Sequence, residues 1–152
     1  MSVTPCLLFS GNAEEAVDFY VSLIPNSRIV ETTRLDGKVL MLTFELDGTL
    51  HRALNGPEAA FTEAISLMVP CETQAEIDRI WDRIVETGGT PRMCGWIKDR
   101  YGLAWQVYPS GIDKWLNGDP AAAGRVMQEV MKMVKLDLPT LERAWKGEPA
   151  PA

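Results

Sequence analysis

His51 is the only histidine in this 152-residue chain. An imidazole with its unperturbed pKa close to neutrality would suit a general base. The plainer alternative, favoured because the sequence fixes no Asp, His or Ser partner, is a strand histidine between Leu50 and Arg52. Cys94, beside Gly95, would become a nucleophile if a cation such as Lys98 or Arg100 lowered its pKa. The commoner kind of cysteine is a buried apolar thiol, and Cys6 and Cys71 read that way too. Trp96 and Trp105 offer flat walls to an apolar or aromatic ligand, or equally fill a core. Gln106 is a further polar candidate, and Asn55 before Gly56 is either a ligand contact or a turn residue. His51, Asn55, Cys94, Trp96, Trp105 and Gln106 are thus the candidate substrate-binding set. None of them is assigned a catalytic role.

The elements that must position these side chains are legible along the chain. Residues 94–109, CGWIKDRYGLAWQVYP, read as strand, tight turn around Tyr101 and Gly102, and a second strand. Alternation along that second strand sends Trp105 to one face and Gln106 to the other. Asp99 and Arg100 pin the turn, and Gly102 supplies the backbone freedom it needs. Upstream, residues 3–9 have strand character, and Asn12 with Glu15 forms a capping-box-like helix start. Ala13, Ala16, Val17, Tyr20, Leu23 and Ile24 fall at helical spacing until Pro25 and Asn26 stop the run. Strands are predicted over 28–34, 38–46 and 49–54, separated by Asp36 with Gly37 and Asp47 with Gly48, dipeptides that signal hairpins.

The same order then recurs. Residues 64–69 read as a strand, Thr73 with Glu76 as another capping box, and Ile77, Ile80, Trp81, Ile84 and Val85 as a helical stripe. Gly88 and Gly89 close the helix, and strands follow over 90–94, 96–98 and 103–108. Placing Phe9 on Val69 places Val17 and Asp18 on Ile77 and Asp78, a period of 60 residues. Two supersecondary units of this kind imply one duplicated fold. From Gly111 on the chain reads as helical, with Asp119 and Pro120 as a helix start. Val126, Val130, Met133 and Val134 make one stripe, and Leu138, Leu141, Ala144 and Trp145 a last short helix. Met127, Met131 and Met133 either pack in the core, the favoured reading, or meet a sheet edge or partner subunit.

Composition narrows the function classes. Apolar residues make up 46% of the chain, enough for a substantial core in one domain. A net charge of −6 argues against binding the phosphate backbone, so no nucleic-acid partner is expected. No run approaches the roughly 20 apolar residues of a membrane span, and no signal peptide is visible. Three widely spaced cysteines form no CxxC pair. A cytoplasmic protein is the expectation.

Two strand–helix–strand–strand–strand units resemble the vicinal oxygen chelate superfamily, that of glyoxalase and bleomycin-resistance proteins. GNAEEAVDFY at 11–20 is similar to that superfamily's first helix, which ends in a Phe-Tyr pair. More narrowly, ALNG at 53–56, CGWIKDRYGLAWQVYP at 94–109 and RVMQEVMKMVKLDLPTLERAW resemble the PhnB-like family, also labelled 3-demethylubiquinone-9 3-methyltransferase-like. The resemblance implies an α+β domain in which two βαβββ repeats form an eight-stranded, open, U-shaped barrel. The first unit would span 3–62, the second 63–110, and a C-terminal helical extension 111–146. It further implies a homodimer with a small-molecule pocket.

Metal-dependent members of the superfamily hold one divalent ion with side chains from strands one, four, five and eight, typically two His and two Glu. Here the resemblance puts those positions at Pro5, somewhere within 51–54, at Ala64 or Ser66, and at Gln106. Proline and alanine have no donor, and His51 with Gln106 cannot offset an ion's dehydration. The expectation is therefore a metal-free pocket, with no metal and no cofactor. The methyltransferase label finds no support in a Gly-rich loop, since Gly11 is the only glycine between the first strand and its helix. The alternative to a binding protein is an enzyme of the superfamily, of lyase, isomerase or dioxygenase type or as the methyltransferase label has it. It would act on a small oxygenated substrate through His51, Gln106 or Cys94.

Overall fold

The computed structural model describes residues 3–149, which divide into two compact units between Ala60 and Phe61. The first unit runs β1 (Cys6–Phe9), α1 (Ala13–Leu23), β2 (Arg28–Leu35), β3 (Lys38–Leu46) and β4 (Thr49–Asn55). Its strands lie in the order β1-β4-β3-β2, with β1 parallel to β4 and the other pairs antiparallel. Both hairpins turn on Asp-Gly pairs with positive φ, 50° and 77° at Asp36 and Gly37, 45° and 75° at Asp47 and Gly48. That is the two-residue geometry whose twist matches the flanking strands. Ala13, Ala16, Val17, Tyr20 and Leu23 of α1 are buried, as are Leu7, Phe9, Leu42, Phe44 and Ala53 on the sheet face that α1 covers.

Two local expectations are corrected in this unit. β1 begins at Cys6 rather than residue 3. The parallel ladder starts with Cys6 opposite Arg52, and Pro5, which has no N–H to extend it, only accepts from the Arg52 N–H at 2.9 Å. The Asn12–Glu15 capping box does not form either. Asn12 makes no side-chain cap bond, and the start of α1 is capped instead from the end of β4.

The second unit runs β5 (Ser66–Cys71), α2 (Gln74–Glu86), β6 (Thr90–Pro91), β7 (Trp96–Lys98) and β8 (Ala104–Pro109). Its strand order, β5-β8-β7-β6 with β5 parallel to β8, repeats that of the first unit. The protein is thus α+β, with two four-stranded mixed sheets of matching topology. The Thr73 capping box is complete, with Glu76 N–H donating to the Thr73 hydroxyl at 3.2 Å and Thr73 N–H to the Glu76 carboxylate at 3.1 Å. Ile77, Ile80, Trp81 and Ile84 are buried on α2, and Ile97, Trp105 and Val107 on the sheet face beneath it.

β5 starts at Ser66, two residues later than the sequence suggests. β6 shrinks from 90–94 to Thr90–Pro91 because Cys94 and Gly95 leave the extended region, with φ of 61° and 80°. Their N–H groups donate to the carbonyls of Met133 and Val134, at 2.7 and 2.8 Å, rather than to a neighbouring strand.

The extension comprises α3 (Ile112–Leu116), α4 (Pro120–Val130) and α5 (Leu138–Lys146). Asp119 caps α4 by accepting from Ala122 N–H at 2.8 Å, with Pro120 in the first turn as expected. Val126, Val130, Leu136 and Leu141 form a buried cluster. The expected stripe through Val134 is broken, since α4 ends at Val130 and Val134 is exposed. Met127 and Met131 are exposed too, which overturns core packing for both, whereas Met133 packs on the cluster. The segment after α4 is clamped to α2. Gln74 donates to the Leu136 carbonyl and accepts from Leu138 N–H, at 3.2 and 2.7 Å, and Lys135 pairs with Asp78 and Asp82, at 2.8 and 3.1 Å. Among the described residues no helix is long and apolar enough to cross a membrane.

Candidate functional site

The β7–β8 hairpin sets two side-chain faces, and one buried carboxylate sets the hairpin. Asp99, 4% exposed, accepts at Oδ1 from the N–H groups of Tyr101 (2.9 Å) and Leu103 (3.0 Å), and at Oδ2 from the Trp105 indole (2.9 Å). The turn role expected of Asp99 is therefore realised. Arg100 lies over the Tyr101 ring, 4.8 Å from its centroid. In the ladder, Trp96 pairs with Gln106, Ile97 with Trp105, and Lys98 with Ala104. Directly opposed residues share a face, so Ile97 and Trp105 point to α2 while Trp96, Lys98 and Gln106 point away. Across the parallel ladder Gln106 pairs with Met68, and its amide donates to the Ser66 hydroxyl at 2.8 Å.

At the β7 end of that outer face lies an open pocket of about 440 Å³ lined by Glu63, Arg92, Met93, Trp96 and Lys98. Arg92 N–H donates to the Trp96 carbonyl at 2.8 Å, fixing its backbone beside the ring. The Glu63 carboxylate oxygen Oε1 stands 3.3 Å from both Arg92 Nε and Lys98 Nζ. Two cations and one carboxylate leave one positive charge on the lining. An indole, a thioether, cations and, one strand over, a carboxamide can hold a small molecule with a flat apolar part and polar substituents.

The six candidates from the sequence take different local roles. Trp96 lies in the pocket and Gln106 is its cross-strand neighbour. Trp105 does not wall this pocket: it is 1% exposed, on the opposite face, with its N–H committed to Asp99. His51 lies on the sheet face that α1 covers. It is buried, stacks on Phe44 at 5.4 Å, and its Nδ1 is 2.8 Å from the Thr49 carbonyl. Asn55 is a structural cap, its Oδ1 accepting from Gly11 and Ala13 N–H at 3.1 and 3.0 Å while its amide donates to the Val39 carbonyl at 3.0 Å. Cys94 packs against the apolar cluster of the extension, with its sulfur 3.8 Å from that of Met131. Cys71 is the buried thiol expected. Burial, followed by the nearby Glu76 carboxylate, raises its pKa from 9.0 to about 11, which leaves it unreactive at neutral pH. Cys6 is exposed, contrary to expectation.

The ladders also align the two units residue by residue. In the second unit Ser66 opposes Ala104, and Gln106 follows two residues on. In the first, Cys6 opposes Arg52, and Leu54 follows two residues on. Cys6 and Leu54 of the first unit thus take the places that Ser66 and Gln106 hold in the second. A thiol, an aliphatic chain, a hydroxyl and a carboxamide supply neither imidazole nor carboxylate, a set that does not fit a hard or borderline divalent ion. Among the described residues no three His, Cys, Asp or Glu side chains gather where an ion could be held.

Glu63, Arg92 and Met93 were not legible as site residues. Lys98 carried a signal, since it lies two residues beyond Trp96 on one strand and so shares its face. Arg92 and Glu63 reach the pocket from irregular segments, for which neither period applies.

Comparison with known proteins agrees with this architecture. The sequence model of the family described as 3-demethylubiquinone-9 3-methyltransferase matches residues 1–108. Among solved structures, a putative 3-demethylubiquinone-9 3-methyltransferase, PhnB protein, from Bacillus cereus is 35% identical. It covers 70% of this chain and 98% of its own, with a TM-score of 0.65. Protein PA1353 from Pseudomonas aeruginosa (20% identity, 72% and 98% coverage, TM-score 0.58) shares the fold. So does the fosfomycin resistance protein FosX from Listeria monocytogenes (12% identity, 78% and 98%, TM-score 0.59). No curated protein matches the chain.

Proposed function

Because the chain belongs to the 3-demethylubiquinone-9 3-methyltransferase (PhnB-like) family, we propose that it is a member of the glyoxalase/bleomycin-resistance superfamily that binds a small organic molecule, without a metal ion, on the outer face of its second sheet. The observation that carries this reading is the pocket of about 440 Å³ against Trp96, a volume suited to one small ligand. Gln106 and Ser66 extend the polar surface along the same face. Binding rather than turnover is favoured because, of the groups the sequence offers for turnover, His51 is stacked beneath α1, Cys94 packs on the extension, and only the neutral carboxamide of Gln106 adjoins the pocket.

Methyl transfer, named in the family's description, has no structural support here. The mixed sheets lack the parallel, doubly wound order that carries a cofactor-cradling Gly-rich loop. A homodimer belongs to the same proposal, and exposed Met127, Met131 and Val134 on the extension are consistent with a second copy covering them.

Native mass spectrometry of gently purified protein tests the reading. A stoichiometric small-molecule adduct, lost in Trp96→Ala and insensitive to chelator, is the expected result. An adduct that persists unchanged in Trp96→Ala, or a stoichiometric divalent ion, would refute it.

A further inference from the structure

Glu63 stands in the pocket as a tethered carboxylate between two cations, and this arrangement points to the chemistry of the natural occupant. We propose that the pocket takes a flat organic anion, whose carboxylate or phosphate displaces Glu63 from Arg92 and Lys98 while its apolar part lies on Trp96. The inference rests on the pocket reading above and adds to it the ligand's charge and a built-in competitor.

Three observations carry it. First, both ion pairs converge on one oxygen, Glu63 Oε1, at 3.3 Å from each cation. A ligand oxygen placed at that point meets both cations at once. Second, the pairs are easily exchanged: the side chains of Glu63 and Arg92 are each 49% exposed and that of Lys98 28%, and the distances are longer than in a tight charge-assisted bond. Third, Glu63 sits in a turn ahead of β5, between exposed Thr62 and Ala64, so it can swing out without unpairing a strand. The backbones of Arg92 and Lys98 are held, one by its bond to Trp96 and the other within β7. The carboxylate leaves while the two cations keep their backbone anchors. Bound to an anion, the two cations are countered by the ligand in place of the protein's own carboxylate.

The test compares 1-naphthoate with its neutral isostere 1-naphthamide, following the Trp96 indole signal in a nitrogen–proton correlation spectrum, assigned with Trp96→Phe. The naphthoate should bind the native protein and the amide markedly less. Glu63→Gln, which removes the competitor and changes little else, should tighten naphthoate about two- to tenfold, the range expected of two exposed ion pairs, and leave the amide unchanged. Arg92→Gln should weaken the naphthoate. Equal binding of acid and amide, or a Glu63→Gln variant that binds the acid no better, overturns the anion assignment and leaves the pocket standing. If neither compound moves the Trp96 signal, the pocket reading itself falls and this inference with it.

Discussion

Replacing Asp99 by Asn should destabilise the protein by about 3 kcal/mol, an amount worked from its bonds with Tyr101, Leu103 and Trp105. Asn is isosteric, so no cavity arises, and its carbonyl can keep the bonds from Tyr101 and Leu103 N–H. Its NH₂ then faces the Trp105 indole N–H, donor against donor, 2.9 Å apart in the native geometry. Losing that charge-assisted bond in a site only 4% exposed costs about 1.5–3 kcal/mol, and making the two backbone bonds neutral costs roughly another 1. The reverse amide orientation is worse, because it sets NH₂ against two backbone N–H groups. With a slope near 2 kcal/mol per molar urea, the midpoint should fall by roughly 1.5 M. The decisive comparison is a cycle with Trp105→Phe, in which the donor is already gone. There Asp99→Asn should cost about 1.5–2 kcal/mol less. A loss under about 1 kcal/mol, or the same loss in both backgrounds, would show that the Asp99–Trp105 bond does not hold this hairpin.

Three further outcomes follow from the same geometry. Asn55→Ala should lower stability by about 1–2 kcal/mol and fray the start of α1, seen as faster amide exchange at Gly11 and Ala13, since their acceptor is removed. Gly95→Ala should cost more than about 2 kcal/mol. Its φ of 80° is left-handed, and the new Cβ would lie 2.8 Å from the Val107 carbonyl oxygen. Adding Leu136→Ala should not rescue it, because the carbonyl obstacle remains; full recovery in a thermal melt would contradict the assignment. For the thiols, Cys6 should react first with a disulfide reagent near neutral pH and Cys71 last. The raised Cys71 pKa means the folded state holds the proton more tightly than the unfolded one. Its contribution is therefore complete below about pH 9.0 and lost as pH climbs to about 11. Cys71→Ala should show a shallower decline over that interval, and an identical decline would count against the shift.

Much of the fold was readable because the signals that specify it are local. The Asp-Gly turns, the Thr73–Glu76 box and the apolar stripes of α1 and α2 each involve residues within a few positions of one another, as do Asp99 and the turn it closes. The order of elements and the 60-residue repeat follow from these, and the PhnB-like resemblance from motifs that are each contiguous in sequence. The extension is less legible: its helical character from Gly111 on includes α3, but the apolar stripe runs past Val130, where α4 ends.

The chain alone could not decide which face of each strand meets a helix, and a one-residue change of register exchanges the two faces entirely. That is why Trp105 and His51, both plausible beside a ligand, lie instead under α2 and α1. Nor could it show that Asn55 caps a helix starting 42 residues earlier, or that Glu63, Arg92 and Lys98 meet beside Trp96. Those juxtapositions are created by strand pairing and by irregular segments crossing the sheet edge. Periodicity carries no information about such long-range encounters, so only the folded chain supplies them.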